Sequence, residues 1–167
     1  HFYHQLGRYH IALGDSSAAL SALSRASEID PDNPAVLESL AEAQFESEDY
    51  EAAQFTFLRA ADAQQNQIVD GKQDEDTICP RRFVNLGRAG DALVAQQREP
   101  QAIALWQKAL LKNTNNVSLQ KKVGEALLRQ GRPDEASKAY EQAILVDAAD
   151  AEARLGAAEA AIALGEE

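Results

Sequence analysis

The 167-residue sequence has no methionine, one cysteine and one tryptophan. With Cys79 as its single thiol, the chain cannot form an internal disulfide or a multi-cysteine zinc site. The lack of methionine, even as initiator, points to a processed chain or part of a longer one, so an address label can lie outside it. No run of about twenty apolar residues occurs, so no bilayer-spanning helix is expected. His1, Phe2, Tyr3 and His4 lack the charged-then-apolar order of a signal peptide. Basic residues are also scarce, with 16 Lys and Arg against 27 Asp and Glu, a net charge of −11. That deficit argues against a general nucleic-acid binder and against docking on anionic membranes. No phosphate-binding glycine loop, nucleophile elbow or HExxH pattern appears, so neither an enzyme nor a cofactor is expected.

What is present is a folded-protein composition, 45% hydrophobic and 26% charged, in a chain long enough for a sizeable core. Ala136, Tyr140 and Ala143 stand at i, i+4 and i+7, one face of a helix. The same spacing recurs as Ala102, Trp106 and Ala109, as Ala53, Phe57 and Ala60, and as Ala19, Leu23 and Ala26. Ala19 and Ala53 lie 34 residues apart, as do Ala102 and Ala136, whereas Ala53 and Ala102 lie 49 apart. A fixed period of this length marks a repeat array, here with one insertion of 15 residues.

The period divides the chain into units 1–33, 34–67, 83–116 and 117–150, with an insertion loop 68–82 and a partial or capping helix in 151–167. In the first unit, Gly14 and Asp15 break one helix, Asp15 or Ser16 caps the next, and Pro31 ends it. In the second, Glu48 and Asp49 make the turn, and the run after Ala60 is helix-favouring, so its second helix is expected to run long. Asp70 and Gly71 should break that helix, and Cys79, Pro80, Arg81 and Arg82 should lead into the following one. Pro100 suits the first turn of a helix, and residues 113–116 should end it. The fourth unit carries Val123, Gly124, Leu127, Gly131 and Pro133, and Gly165 should close the last helix.

Tyr3, Leu6, Gly7, Gly14, Ala19, Leu23, Ala26 and Pro31 resemble the pattern of the tetratricopeptide repeat, a 34-residue helix–turn–helix unit. His10 departs from it, standing where an aromatic is usual. The resemblance implies an all-α, right-handed solenoid of four antiparallel helix pairs plus one extra C-terminal helix. Gly7, Ala41, Gly90, Gly124 and Ala158 occupy equivalent places where a small side chain admits a neighbouring helix. Leu23, Phe57, Trp106 and Tyr140 then fill the gaps between helices, and each unit buries its apolar face only when stacked.

Candidate chemistry is sparse. His1 and His4 lie i, i+3 and could pinch a metal, but ordinary surface residues are the expectation, and no metal site is assigned. Asp70, Asp74, Glu75 and Asp76 lack the EF-hand spacing and read as a solvated acidic loop. Cys79, with Arg81 and Arg82 nearby, could be a reactive thiol but is expected to be an inert loop cysteine.

The first helix of the fourth unit uses Gln120, Val123, Gly124 and Leu127 for the core. A second stripe carries Lys121, Glu125, Leu128 and Arg129 beside it. Equivalent positions are His4, Arg8 and Ile11 in the first unit, Glu38, Glu42, Phe45 and Glu46 in the second, and Asp91 and Val94 in the third. The family resemblance implies that this stripe lines a concave groove that holds a protein or peptide partner. One row is apolar throughout, Ile11, Phe45, Val94, Leu128 and Ile162, and is either an anchor line or packing against adjacent helices. Glu38, Glu42 and Glu46 stack on one helical face and repel slightly, which a basic or amine-bearing partner would offset, but a solvated acidic face or pairing with Arg8 is the expectation. Lys121, Lys122 and Arg129 form a basic spot. Chaperone-tail capture by a Lys and Asn clamp is not expected, since only Arg88 matches that pattern. The expected function is thus a non-catalytic interaction scaffold. Its rivals are a module that self-associates, favoured by the unpaired helix after residue 151, and the targeting arm of a multidomain enzyme.

The register makes a direct prediction. Trp106→Ala and Phe57→Ala should each cost about 3–5 kcal/mol and lower the thermal midpoint by several degrees. Unchanged melting of both variants would show that these side chains do not sit between helices.

Overall fold

The computed structural model describes residues 1–69, 75–111 and 113–165, and their side chains apart from 68, 69 and 75–80. The expectations for Asp70, Gly71 and Asp74, and those for the side chains of Glu75, Asp76 and Cys79, therefore fall outside what is described. Among the described residues there are nine helices and no strand. They are α1 (Phe2–Ala12), α2 (Ser16–Ile29), α3 (Pro34–Glu46), α4 (Tyr50–Val69), α5 (Glu75–Ala95), α6 (Glu99–Leu110), α7 (Val117–Arg129), α8 (Pro133–Val146) and α9 (Ala151–Leu164). The fold is an all-α helical-repeat solenoid. The chain forms two compact units, residues 1–102 and 103–167. In the first, α1 packs on α2, α2 on α3, α3 on α4 and α4 on α5, with α1 also touching α3. In the second, α7 packs on α8, α8 on α9, and α7 also touches α9.

Local chemistry explains where the helices start. The Asp15 carboxylate accepts the Ala18 N–H at 3.0 Å, and that of Asp49 accepts the Ala52 N–H at 3.2 Å. Asn33, Asn116 and Asp150 cap α3, α7 and α9 in the same way, each satisfying a donor that the first turn leaves open. The start of α8 has no side-chain cap. Pro133 instead supplies a helical φ, and Asp134 and Glu135 stand in the first turn against the positive end of the helix dipole. Pro100 and Glu99 open α6 similarly.

Where the helices stop is equally periodic. Gly14, Glu48, Gln97, Gly131 and Gly165 all adopt left-handed backbone, with φ between 62° and 78°. They recur at the repeat spacing, so the tight turn is a property of the unit. Glycine adopts this conformation freely, whereas Glu48 and Gln97 carry a Cβ against the following carbonyl.

The four recurring trios are buried, none of their residues more than 5% exposed. In the first unit, Ala19, Leu23, Leu40 and Ala43 form one core cluster, with Ile11 and Leu20 packed against it. Leu37, Ala60 and Ala63 form another. A Cβ added at Gly7 would collide with Leu23. Tyr140 lies between two glycines: a Cβ at Gly124 would sit 2.7 Å from its ring, and one at Gly156 closer still. Here the sequence expectation needs adjusting. Ala158, aligned with Gly124, is exposed, and it is Gly156 that meets Tyr140. Ala158 has no second helix of its own unit in this sequence to face.

The insertion also differs from a plain loop. Helix α4 reaches Val69 and α5 begins at Glu75, so Cys79, Pro80, Arg81 and Arg82 lie within α5. Pro80 forgoes one backbone hydrogen bond near the start of a 21-residue helix, which the remaining turns outweigh.

Replacing Glu48 or Gln97 by glycine should relieve about 1–2 kcal/mol of left-handed strain, offset by about 0.5–1 kcal/mol for the freer unfolded chain. A small net stabilisation is expected in urea titrations. Gly131→Ala should move the midpoint the other way, and equal midpoints for all three would contradict the φ assignment.

Candidate protein-binding face

In the unit 1–102, the second stripe is built by α1, α3 and α5. Helix α1 places His4, Arg8 and Ile11 on it, α3 places Glu38, Glu42, Phe45 and Glu46, and α5 places Asp91 and Val94. Ile11, Phe45 and Val94 are half-buried. Ile11 rests on the Ala19–Leu23 cluster. The Phe45 ring meets Tyr50 edge-on at 5.2 Å between centroids, a favoured aromatic geometry. Each therefore spends part of its surface on packing and keeps part free. Arg8 and Glu46 are exposed.

The polar members are tied together across helices. The Ser39 hydroxyl gives its proton to the Ala35 carbonyl at 3.1 Å, so at 2.9 Å from it the His4 Nε2–H is the donor. The Glu38 carboxylate accepts the Gln64 amide at 2.6 Å and the Asn85 amide at 2.9 Å, joining α3 to α4 and α5. Gln64 and Asn85 are both buried, at 3% and 2% exposure, and Asn85 also donates to Gln64 Oε1 at 3.3 Å. The Glu42 carboxylate pairs with Arg88 at 2.9 Å, and that guanidinium lies 5.9 Å from the centre of the Phe57 ring. Both partners are substantially exposed, so the pair contributes little to stability but holds Arg88 in place.

These bonds correct the acidic-face reading. Glu38, Glu42 and Glu46 do share a helical face, but neither Glu38 nor Glu42 pairs with Arg8. Glu38 is satisfied by two amides and Glu42 by Arg88. Gln64 and Asn85 escape sequence reasoning, although one signal was available: both are polar residues set among core-facing neighbours such as Ala63 and Leu86. Arg88, singled out in sequence as a lone match to a carboxylate clamp, is here a partner of Glu42.

In the unit 103–167, the same stripe holds Lys121, Glu125, Leu128 and Arg129. Two cations of the basic spot expected there, Lys121 and Arg129, are paired. Lys121 bridges Asp150 at 2.8 Å and Glu152 at 2.7 Å, and Arg129 pairs with Glu125 at 2.6 Å. The hydrogen bond from Lys121 holds Asp150 below the usual carboxylate range, aided by the Ala153 N–H, while the two carboxylates raise Lys121. Because Asp150 also caps α9, this cluster fastens α9 to α7. Leu128 is half-buried, whereas Leu155 and Ile162 are 62% and 75% exposed.

Burial, and then the nearby Arg8 charge, push His4 below the usual imidazole value of 6.5. The folded state thus disfavours protonated His4, and its contribution to stability is full above that value and falls as pH drops toward the lowered pKa. Hydrogen exchange of α1 amides should accelerate between pH 7.5 and 5.5 beyond the intrinsic rate change. His4→Gln should remove that excess, and an excess that persists would place its origin elsewhere.

Comparison with known proteins bears on the fold. The family model described as tetratricopeptide repeat matches residues 10–71 in one form and residues 88–136 and 122–167 in another. No curated protein matches the chain in sequence. Among solved structures, MamA superposes with a TM-score of 0.79 at 20% identity, covering 98% of this chain and 81% of that one. YrrB, described as a TPR protein with an unusual peptide-binding site, gives 0.74 at 19% identity, over 99% of this chain and 77% of that one. The Cut9–Hcn1 hetero-tetramer of the APC/C gives 0.70 at 19% identity, and the match spans 95% of this chain but 29% of that one. Helix pairs that recur at a 34-residue period on either side of one insertion, interlocked through small residues and matched by the family models over most of the length, show that the chain belongs to the tetratricopeptide repeat family.

Proposed function

We propose that the face formed by α1, α3 and α5 captures a protein or peptide segment by non-covalent contact. Family membership supports the broader statement that the chain is a protein–protein interaction scaffold. The observation that carries the finer one is the pairing of half-exposed apolar side chains with pre-fixed polar ones. Ile11, Phe45 and Val94 offer apolar surface, and the His4–Ser39, Glu38–Asn85 and Glu42–Arg88 bonds hold the polar groups around them. A face already ordered loses less entropy on binding, and an aromatic in such a setting makes an effective anchor. Since Glu38 and Glu42 are internally satisfied, apolar contact supplies most of the affinity, and Glu46 and Arg8 set the charge preference. The peptide-binding description of YrrB, a structure of the same fold, agrees with this mode. The role is one of binding, and no residue is assigned to catalysis.

Peptides selected from a random display library against the whole chain provide the probe. The double variant Phe45→Ala, Glu46→Lys breaks no ion pair seen on this face, so it should fold normally by circular dichroism. It should bind the selected peptides about tenfold or more weakly, the loss of an anchor worth 1–2 kcal/mol or more. Full affinity in the folded double variant would move the site off this face.

A further inference from the structure

The unit 103–167 contains a recess distinct from the stripe described above. It lies between α6 and α8, and buried residues of α7 form its floor. Its volume is about 390 Å³, at the small end of the roughly 300–1,000 Å³ typical of ligand sites. That is suited to one or two side chains. Leu110, Leu127 and Ala139 provide apolar wall.

Its polar groups are unusually informative. Among the described residues, two charged ones line the recess, Glu135 and Lys138. Glu135 is neutralised by a bidentate bond from Arg132, both contacts at 2.7 Å. Lys138 has no partner among the described residues, although the chain carries a large excess of acid. The recess therefore presents one uncompensated positive charge beside an apolar wall. In that wall stands Gln120, 4% exposed, whose amide donates to the Thr114 carbonyl and whose Oε1 has no donor.

We infer that this recess is a second docking site, and that its occupant is an acidic peptide segment of a partner protein. One bulky apolar side chain fills the space against Leu110, Leu127 and Ala139. A flanking carboxylate meets Lys138. This site does not depend on the face of α1, α3 and α5.

The test uses the full chain and a fluorescein-labelled octapeptide with one central leucine flanked by aspartates. The comparison peptides carry lysines in place of the aspartates, or alanine in place of the leucine. Only the first should bind, and the Gln120 side-chain amide signals should shift in NMR spectra as it does. Lys138→Glu, an exposed change that breaks no contact, should weaken binding about fivefold or more. Ala139→Phe should occlude the recess and weaken it similarly, while Phe45→Ala should leave it unchanged. Absence of binding by the native chain would overturn the proposal. So would binding that Phe45→Ala abolishes and Lys138→Glu spares, since the peptide would then occupy the other face. Concentration-dependent self-association that Lys138→Glu abolishes would overturn the partner assignment, making a second copy the occupant.

Discussion

Close approach of helices is the constraint on which this structure rests. Two helices come close enough to interlock only where one offers almost no side chain and the other offers a large one. Gly7 admits Leu23, and Gly124 and Gly156 together admit Tyr140. The buried alanines of each second helix, such as Ala136 and Ala143, have the same effect along its length. Because contact is local, stability is assembled unit by unit, and cores stay small and repeated. A methyl group at Gly156 would oppose this packing more than a charge change on the surface would.

That arrangement leaves the other face of each first helix open to vary. Residues there need only avoid disturbing the stack, and their chemistry is decided by neighbours one helix away. On α3, three glutamates in a row look like an acidic surface. In the fold, Glu38 becomes the acceptor for two buried amides and Glu42 the partner of Arg88. Likewise Lys121 and Arg129 of α7 are held by Asp150, Glu152 and Glu125. What remains for partners is a set of half-buried apolar side chains among polar groups that are already held.

The two proposed sites use different physics. The face of α1, α3 and α5 relies on apolar contact within an ordered polar frame. The recess of α6, α7 and α8 relies on one unpaired ammonium beside an apolar wall. Separate sites with separate preferences would let one small scaffold hold two segments at once, without any conformational change being required.

The sequence by itself determined the repeat, its period and many of the turns and caps, because these follow from local rules. Left-handed turns, Asp and Asn caps and alternating small and large residues all act within a few positions of one another. It also showed which residues pack: the trios from Ala19 to Ala143 are buried as their spacing requires. Even Glu48 was legible as a turn, though not the positive φ that it and Gln97 share with the glycines. Tertiary structure alone decided the character of the two candidate surfaces. Glu38 finds its partners 26 and 47 residues away, and Lys121 finds its own 29 and 31 residues away. No periodic pattern encodes such pairings, since they depend on where neighbouring helices set their side chains. The same holds for Gly156, which sequence phase passed over in favour of Ala158 and which only the seat of Tyr140 reveals.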